Sequence, residues 1–130
     1  MKKQFLISSA LVAVVLLAIN FSSCKKKAEN QAPVVTLNEP DDNSSIAMGD
    51  SLHIEGTASD DEELHEMSVL VVSHMGDTVL SDYPYVHGKK TYDFHYHFHP
   101  ADTGMFHLHI TAEDHEEAAT HVERMFSVTP

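Results

Sequence analysis

The stretch Ser51-Leu-His-Ile-Glu-Gly-Thr-Ala58 sets the reading of the whole chain. Successive side chains of a β-strand point to opposite faces. Leu52, Ile54, Gly56 and Ala58 therefore share one side, and His53, Glu55 and Thr57 share the other. The same period of two recurs in short runs on both flanks: Pro33 to Leu37, Tyr92 to His99, Met105 to Ala112 and Thr120 to Val128. Met67 to His74 is the most apolar run and reads as a central strand. Thr78 to Leu80, after the Gly76-Asp77 turn, reads as a short edge strand. Turn-forming or polar segments separate these runs: Asn38 to Ser45, the acidic loop Asp60 to Glu63, the irregular Ser81 to Lys90, and Asp114 to Glu117, which reads as a loop or a single helical turn. No long helical period appears. Seven short strands at this spacing predict an all-β, seven-stranded β-sandwich.

The sandwich is expected over residues 33–130, about a hundred residues and enough for one small domain. Ahead of it, Lys2 and Lys3 precede an uncharged apolar stretch from Phe5 to Ile19 and then small residues up to Cys24. This is the layout of a secretory signal, and the apolar stretch is shorter than the roughly 20 residues a spanning helix needs. Phe21-Ser22-Ser23-Cys24 resembles a bacterial lipobox, with Phe where Leu is more usual. That resemblance implies a signal peptide over 1–23 and lipidation of Cys24, then a polar tether through residue 32. The plainer alternative is an ordinary signal cleaved nearby. Cys24 is the only cysteine, so no internal disulfide can support the fold. Lys25, Lys26 and Lys27 would each add about 1 kcal/mol of attraction to an anionic membrane surface. The expected location is the bacterial cell envelope, with the chain held to a membrane by its lipid.

From Gln31 onward there are 19 acidic residues against Lys89, Lys90 and Arg124, a net charge of −16 with histidine neutral. Such a surface repels nucleic acid and attracts cations. All eleven histidines lie at or after His53. Their full protonation would bring the domain to about −5, so its field depends steeply on pH near the imidazole pKa.

Five histidines alternate with apolar residues in two runs, His95-Tyr-His-Phe-His99 and His107-Leu-His109. Each run turns its imidazoles to one face and Phe94, Tyr96 and Phe98, or Leu108 and Ile110, to the other. Imidazole is the commonest protein metal ligand. Two histidines at i and i+2 of a strand can reach one ion, with a third ligand from the neighbouring strand about 4.8 Å away. Zn²⁺ suits such donors, and Cu²⁺ or Ni²⁺ would also. A solvated polar face that happens to be rich in histidine is the simpler alternative. His87, beside Gly88, reads as a loop residue. Asp60 to Glu63 has oxygen donors for Ca²⁺ but no recognised loop spacing. Met67, Met75, Met105 and Met125 read as core or gap filler, and Tyr92 and Tyr96 as core. No nucleophile motif or phosphate-cradling loop is present, so catalysis is not expected.

The order of elements resembles an immunoglobulin-like or cadherin-like module. The resemblance is carried by Pro33 with its strand and the Pro40-Asp-Asp turn, by Ala58-Ser-Asp60, and by Asp102-Thr-Gly-Met-Phe106. In the last, Phe106 stands where such modules place a Tyr whose hydroxyl bonds at the strand corner. A narrower likeness is to small His-rich lipoproteins of Bacteroidota, a family of unknown function, through His95 to His99, Thr103 to His109 and Ala112-Glu-Asp-His115. With Glu116-Glu117-Ala118 the chain departs from the Gly-Asn expected there.

An immunoglobulin-like strand order would gather the histidines into three patches. His53, Glu55, His95, His97 and His99 fall on one sheet. His74, His107, His109, His121 and Glu123 fall on the other. His65 and His115, with Asp60 and Asp114, meet at one end, where satisfied structural histidines are the simpler reading. The resulting expectation is a non-catalytic envelope lipoprotein that binds zinc, or copper or nickel, and buffers the ion or passes it to an envelope transporter. The rival is a protein- or glycan-interaction module with a pH-sensitive surface.

Overall fold

The computed structural model describes residues 29–130, so the signal segment and Cys24 lie outside the described residues. Seven strands follow in order: β1 (Val34–Glu39), β2 (Ser44–Ala47), β3 (Leu52–Ser73), β4 (Thr78–Asp82), β5 (Lys89–Phe98), β6 (Gly104–Asp114) and β7 (Ala119–Thr129). The fold is all-β, as the alternation predicts, but the partition differs in two places. The two strands expected on either side of Asp60 to Glu63 are one strand of 22 residues, β3. β2 lies partly inside the cluster read as a turn, and it pairs in parallel with β7, Ser44 opposite Phe126.

β3 belongs to both layers. Its first half pairs antiparallel with β1 and β5, and its second half with β4 and β6. β6 continues to β7, and β7 to β2. The layers close over a core in which Phe98 of β5 meets Phe106 of β6 and Phe126 of β7, with ring centroids 5.9 and 6.0 Å apart. Phe106 and Phe126 stack at 5.4 Å. The ring at the corner thus stays in the interior without the hydroxyl. Tyr96 Oη donates to Asp82 Oδ2 at 2.7 Å and ties β5 to β4; burial first, then this carboxylate, pushes its phenol pKa up.

The crossing between layers is not smooth. β3 advances five residues from Ser59 to Leu64 while β5 moves two, from Thr91 to Lys89. A second irregularity sits between Leu64 and Glu66, where β6 moves only from Asp114 to Glu113. His65 is the inserted residue of this bulge. Up to Ala58 the buried positions of β3 are even-numbered; beyond the bulge they are odd, at Met67, Val69 and Val71. The bulge resets the alternation so that both halves face the same interior.

Gly56 shows how closely the first layer is packed. A Cβ there would meet the Thr36 carbonyl and come within 2.6 Å of Phe94 Cζ. Neither neighbour is the free end of a flexible side chain. Gly56→Ala should therefore destabilise the domain by about 1–3 kcal/mol, as overpacking does, read as a lower urea midpoint with an unchanged slope. An unchanged midpoint would refute this packing.

Candidate metal centre

The register of β3 against β5 builds the first cluster. His53 is directly opposite His97, and Glu55 is opposite His95. Facing residues of an antiparallel pair bring their Cβ atoms to about 4.5–5.5 Å, with diagonal neighbours somewhat farther. His53 thus meets His97 across the strands and His95 on the diagonal, with ring centroids 4.5 and 5.4 Å away; His95 and His97 are 4.6 Å apart. One donor atom from each of the three lies within 4.8 Å of the others, and all three residues are exposed. Leu52, Ile54, Phe94 and Phe98 occupy the alternate, buried positions. Glu39 Oε2 stands 4.0 Å from His53 Nδ1. Glu55 is not part of the triad. His99 does not join it either: β5 ends at Phe98, and the buried Pro100, which has no N–H to donate to a ladder, follows at once.

The second cluster lies on β6 and β7. Glu123 is opposite His109 and diagonal to His107. His107 Nδ1 is 2.8 Å from Glu123 Oε1, and His107, His109 and Glu123 satisfy the same 4.8 Å limit. The hydrogen bond to His107 is the main reason the Glu123 carboxyl is held below the usual carboxylate range. His121, opposite Thr111, sits one step along this row: its Nε2 is 3.4 Å from His109 Nδ1 and its Nδ1 is 3.0 Å from Thr111 Oγ1. His121 borders the cluster without entering it. His74 lies just past the end of β3, its N–H donating to the Met105 carbonyl. With His99, it lines a separate cavity that also contains Met75, Asp77 and Asp102.

The third cluster corrects an expectation. His65 and His115 do meet, but their third partner is His87, read from sequence as an ordinary loop residue. Centroid separations are 4.4 Å for His65 and His115, 4.7 Å for His87 and His115, and 5.3 Å for His65 and His87. Asp114 is used elsewhere. It is buried, and its Oδ1 accepts the N–H groups of Glu116 and Ala118 while Oδ2 accepts from Asn30 Nδ2. Asn30, expected in a flexible tether, is thereby docked on the domain, and this bond is the first cause of the lowered Asp114 pKa. Asp60 Oδ1 accepts the Glu62 N–H within β3. The segment Asp114 to Glu117 is a hairpin turn rather than a helical one, with Glu117 at a φ of 65°. No local sequence signal marks His87; only the buried Val86 beside it hints that this loop is held.

Tetrahedral Zn²⁺ at about 2.0–2.1 Å from each nitrogen sets its donors roughly 3.3 Å apart. Small side-chain rotations would contract each triad to that spacing. Two triads offer three imidazoles and one offers two imidazoles with a carboxylate, both donor sets suited to zinc.

His97 carries a pH signature of its crowding. Its pKa is lowered, by partial desolvation first and then by the like charges of His53, His95 and His99. Between that lowered value and the ordinary imidazole pKa near 6.5, the unfolded chain binds more protons than the folded one. This contribution is present above about pH 6.5 and declines as pH falls through that window. An NMR titration should place the His97 midpoint below the ordinary value, and His53→Ala should move it only part of the way back. A midpoint at or above the ordinary value would contradict the packed triad.

No curated protein matches the chain in sequence. In structure it is similar to the fibronectin(III)-like modules of Clostridium thermocellum CbhA, with 26% identity and a TM-score of 0.50 over 79% of this chain and 49% of that one. It is similar to the CARDB domain of the PF1109 protein from Pyrococcus furiosus, solved in complex with di-metal ions, with 15% identity and a TM-score of 0.51 over 79% and 94%. It is also similar to part of an engineered protein, with 15% identity and a TM-score of 0.56 over 78% and 21%. The chain thus spans about a fifth of the engineered protein and half of the CbhA chain. A domain of unknown function, DUF4625, matches residues 22–129, and the chain belongs to that family.

Proposed function

We propose that this domain is a non-catalytic metal-binding module that takes up Zn²⁺, or Cu²⁺ or Ni²⁺, on its strand histidines. It would act in the bacterial envelope, held to a membrane through Cys24. The observation that carries the reading is the convergence of His53, His95 and His97 on one exposed face from two strands. The His107, His109 and Glu123 triad repeats the principle on the other layer. The first face is exposed and the second half-buried, so an incoming ligand can reach an ion on the first directly. That suits buffering, or delivery to an envelope transporter, better than permanent storage. The acidic surface supports it, because a net charge of −16 from Gln31 onward raises the local concentration of cations. Raw affinity of nitrogen donors favours Cu²⁺ over Zn²⁺, so the ion carried depends on what the compartment supplies.

The rival reading, a pH-sensitive surface for a protein or glycan partner, uses the same imidazoles without an ion. The two part on a simple measurement. Purified, untagged protein dialysed at neutral pH should retain zinc and compete for it with a weak chelator. The pair His95→Ala, His97→Ala should weaken binding by more than the about 10–100-fold that loss of an outer-shell partner costs. Retention of no metal, and no heat on titration with Zn²⁺, Cu²⁺ or Ni²⁺, would leave the interaction reading in its place.

A further inference from the structure

The His65, His87 and His115 triad differs in kind from the two strand-face clusters. Its members come from a strand bulge and two connections rather than from one row of alternating residues, and each is fixed by its own backbone. His65 is the inserted residue of the β3 bulge, a device that re-aims a side chain. His87 follows Val86, whose side chain is buried in the core; Gly88 N–H donates to the Leu64 carbonyl at 3.2 Å and Lys89 N–H to the Val86 carbonyl at 2.9 Å. His115 stands on the turn that the buried Asp114 organises through its two bonds to backbone N–H groups. The three positions are therefore set before any ion arrives.

The atoms are also arranged as a metal would need them. His65 Nδ1 and His87 Nδ1 face each other at 3.2 Å, close to the roughly 3.3 Å that tetrahedral zinc imposes on two ligand nitrogens. A neutral imidazole carries one N–H and one lone pair, so two like nitrogens in contact either share one proton or jointly hold a cation. The opposite nitrogen of His65, Nε2, is 4.0 Å from Glu66 Oε1, longer than a hydrogen bond but within a small side-chain rotation of the carboxylate–histidine contact that orients metal-ligating imidazoles. His115 Nε2 is 3.8 Å from Glu63 Oε2.

We propose that His65, His87 and His115 form a structural Zn²⁺ site that clips the β3 bulge, the 83–88 connection and the β6–β7 turn together, with Glu66 turning in to steady His65 and Glu63, which stands outside the histidine triad beside His115, swinging in as the fourth donor. This rests on the metal-binding reading for the choice of ion, but assigns this triad a different task. Four protein donors make a closed site, as structural zinc sites are, whereas the strand-face triads leave room for exchange. The ion joins residues far apart in sequence, so its binding suppresses local opening of the segments it spans.

Hydrogen exchange on the purified, untagged protein tests the clip, with Zn²⁺ alone as the probe. At free Zn²⁺ a hundred times the dissociation constant, amides of residues 83–88 and 115–118 that exchange by local opening should slow by about a hundredfold. His87→Gln, at an exposed position, should abolish this protection, and Glu66→Gln should weaken zinc binding there by about 10–100-fold. The pair His53→Ala, His97→Ala, which dismantles a strand-face triad, should leave the protection intact. If zinc is retained but these segments exchange at the same rate with and without it, or if His87→Gln keeps the protection, the clip is wrong and the strand-face reading stands. If no zinc binds at all, the clip falls; the strand-face reading falls with it only if Cu²⁺ and Ni²⁺ fail to bind as well.

Discussion

One strand serves two sheets, and its apolar side must reach the same interior from both. β3 satisfies this with Leu52, Ile54 and Ala58 before the crossing and Met67, Val69 and Val71 after it. The change from even to odd positions requires one extra residue, and the bulge at His65 supplies it. Everything on the outer surface then follows from what is buried. Phe94 and Phe98 inside place His95 and His97 outside; Phe106, Leu108 and Ile110 inside place His107 and His109 outside. The interior thus determines the positions of the imidazoles, although none of them helps to form it.

Much of this could be read directly from the chain. The alternation of Leu52 to Ala58 and Phe94 to Phe98 announces two half-buried strands, and an immunoglobulin-like order makes them neighbours. That was enough to bring His53 beside His95 and His97, and His107 and His109 beside Glu123. What escaped the pattern depends on backbone irregularity or distant pairing. β2 is only four residues long and gains its partner, β7, from the far end of the sequence. The charged run from Asp60 to Glu63 looks like a loop because it has no buried face to reveal, yet it continues in extended form where the layers part. His65 is re-aimed by a bulge, and His87 sits in an irregular segment anchored by the buried Val86 and by backbone bonds at Gly88 and Lys89; neither has a period to betray it. His99 continues the alternation but not the strand ladder, which stops at Phe98.

Electrostatics and packing divide the work. Among the described residues the core is apolar apart from Asp114, whose carboxylate organises a turn through one oxygen and holds Asn30 through the other. The charged and titratable groups stand outside, where they cost the fold little. Clusters of neutral imidazoles among many carboxylates form a surface that protons and metal ions compete to occupy. Acidification and metal loading therefore act on the same atoms in opposite directions.

The strand common to both layers has a thermodynamic consequence. Neither layer can melt alone without breaking a ladder that the other also uses, so the domain should open as a single cooperative unit rather than as two halves. Anything that tightens one face is then felt on the opposite face as a reduced tendency to unfold. Occupants on separate surfaces are coupled through shared global stability, without any conformational signal having to travel between them.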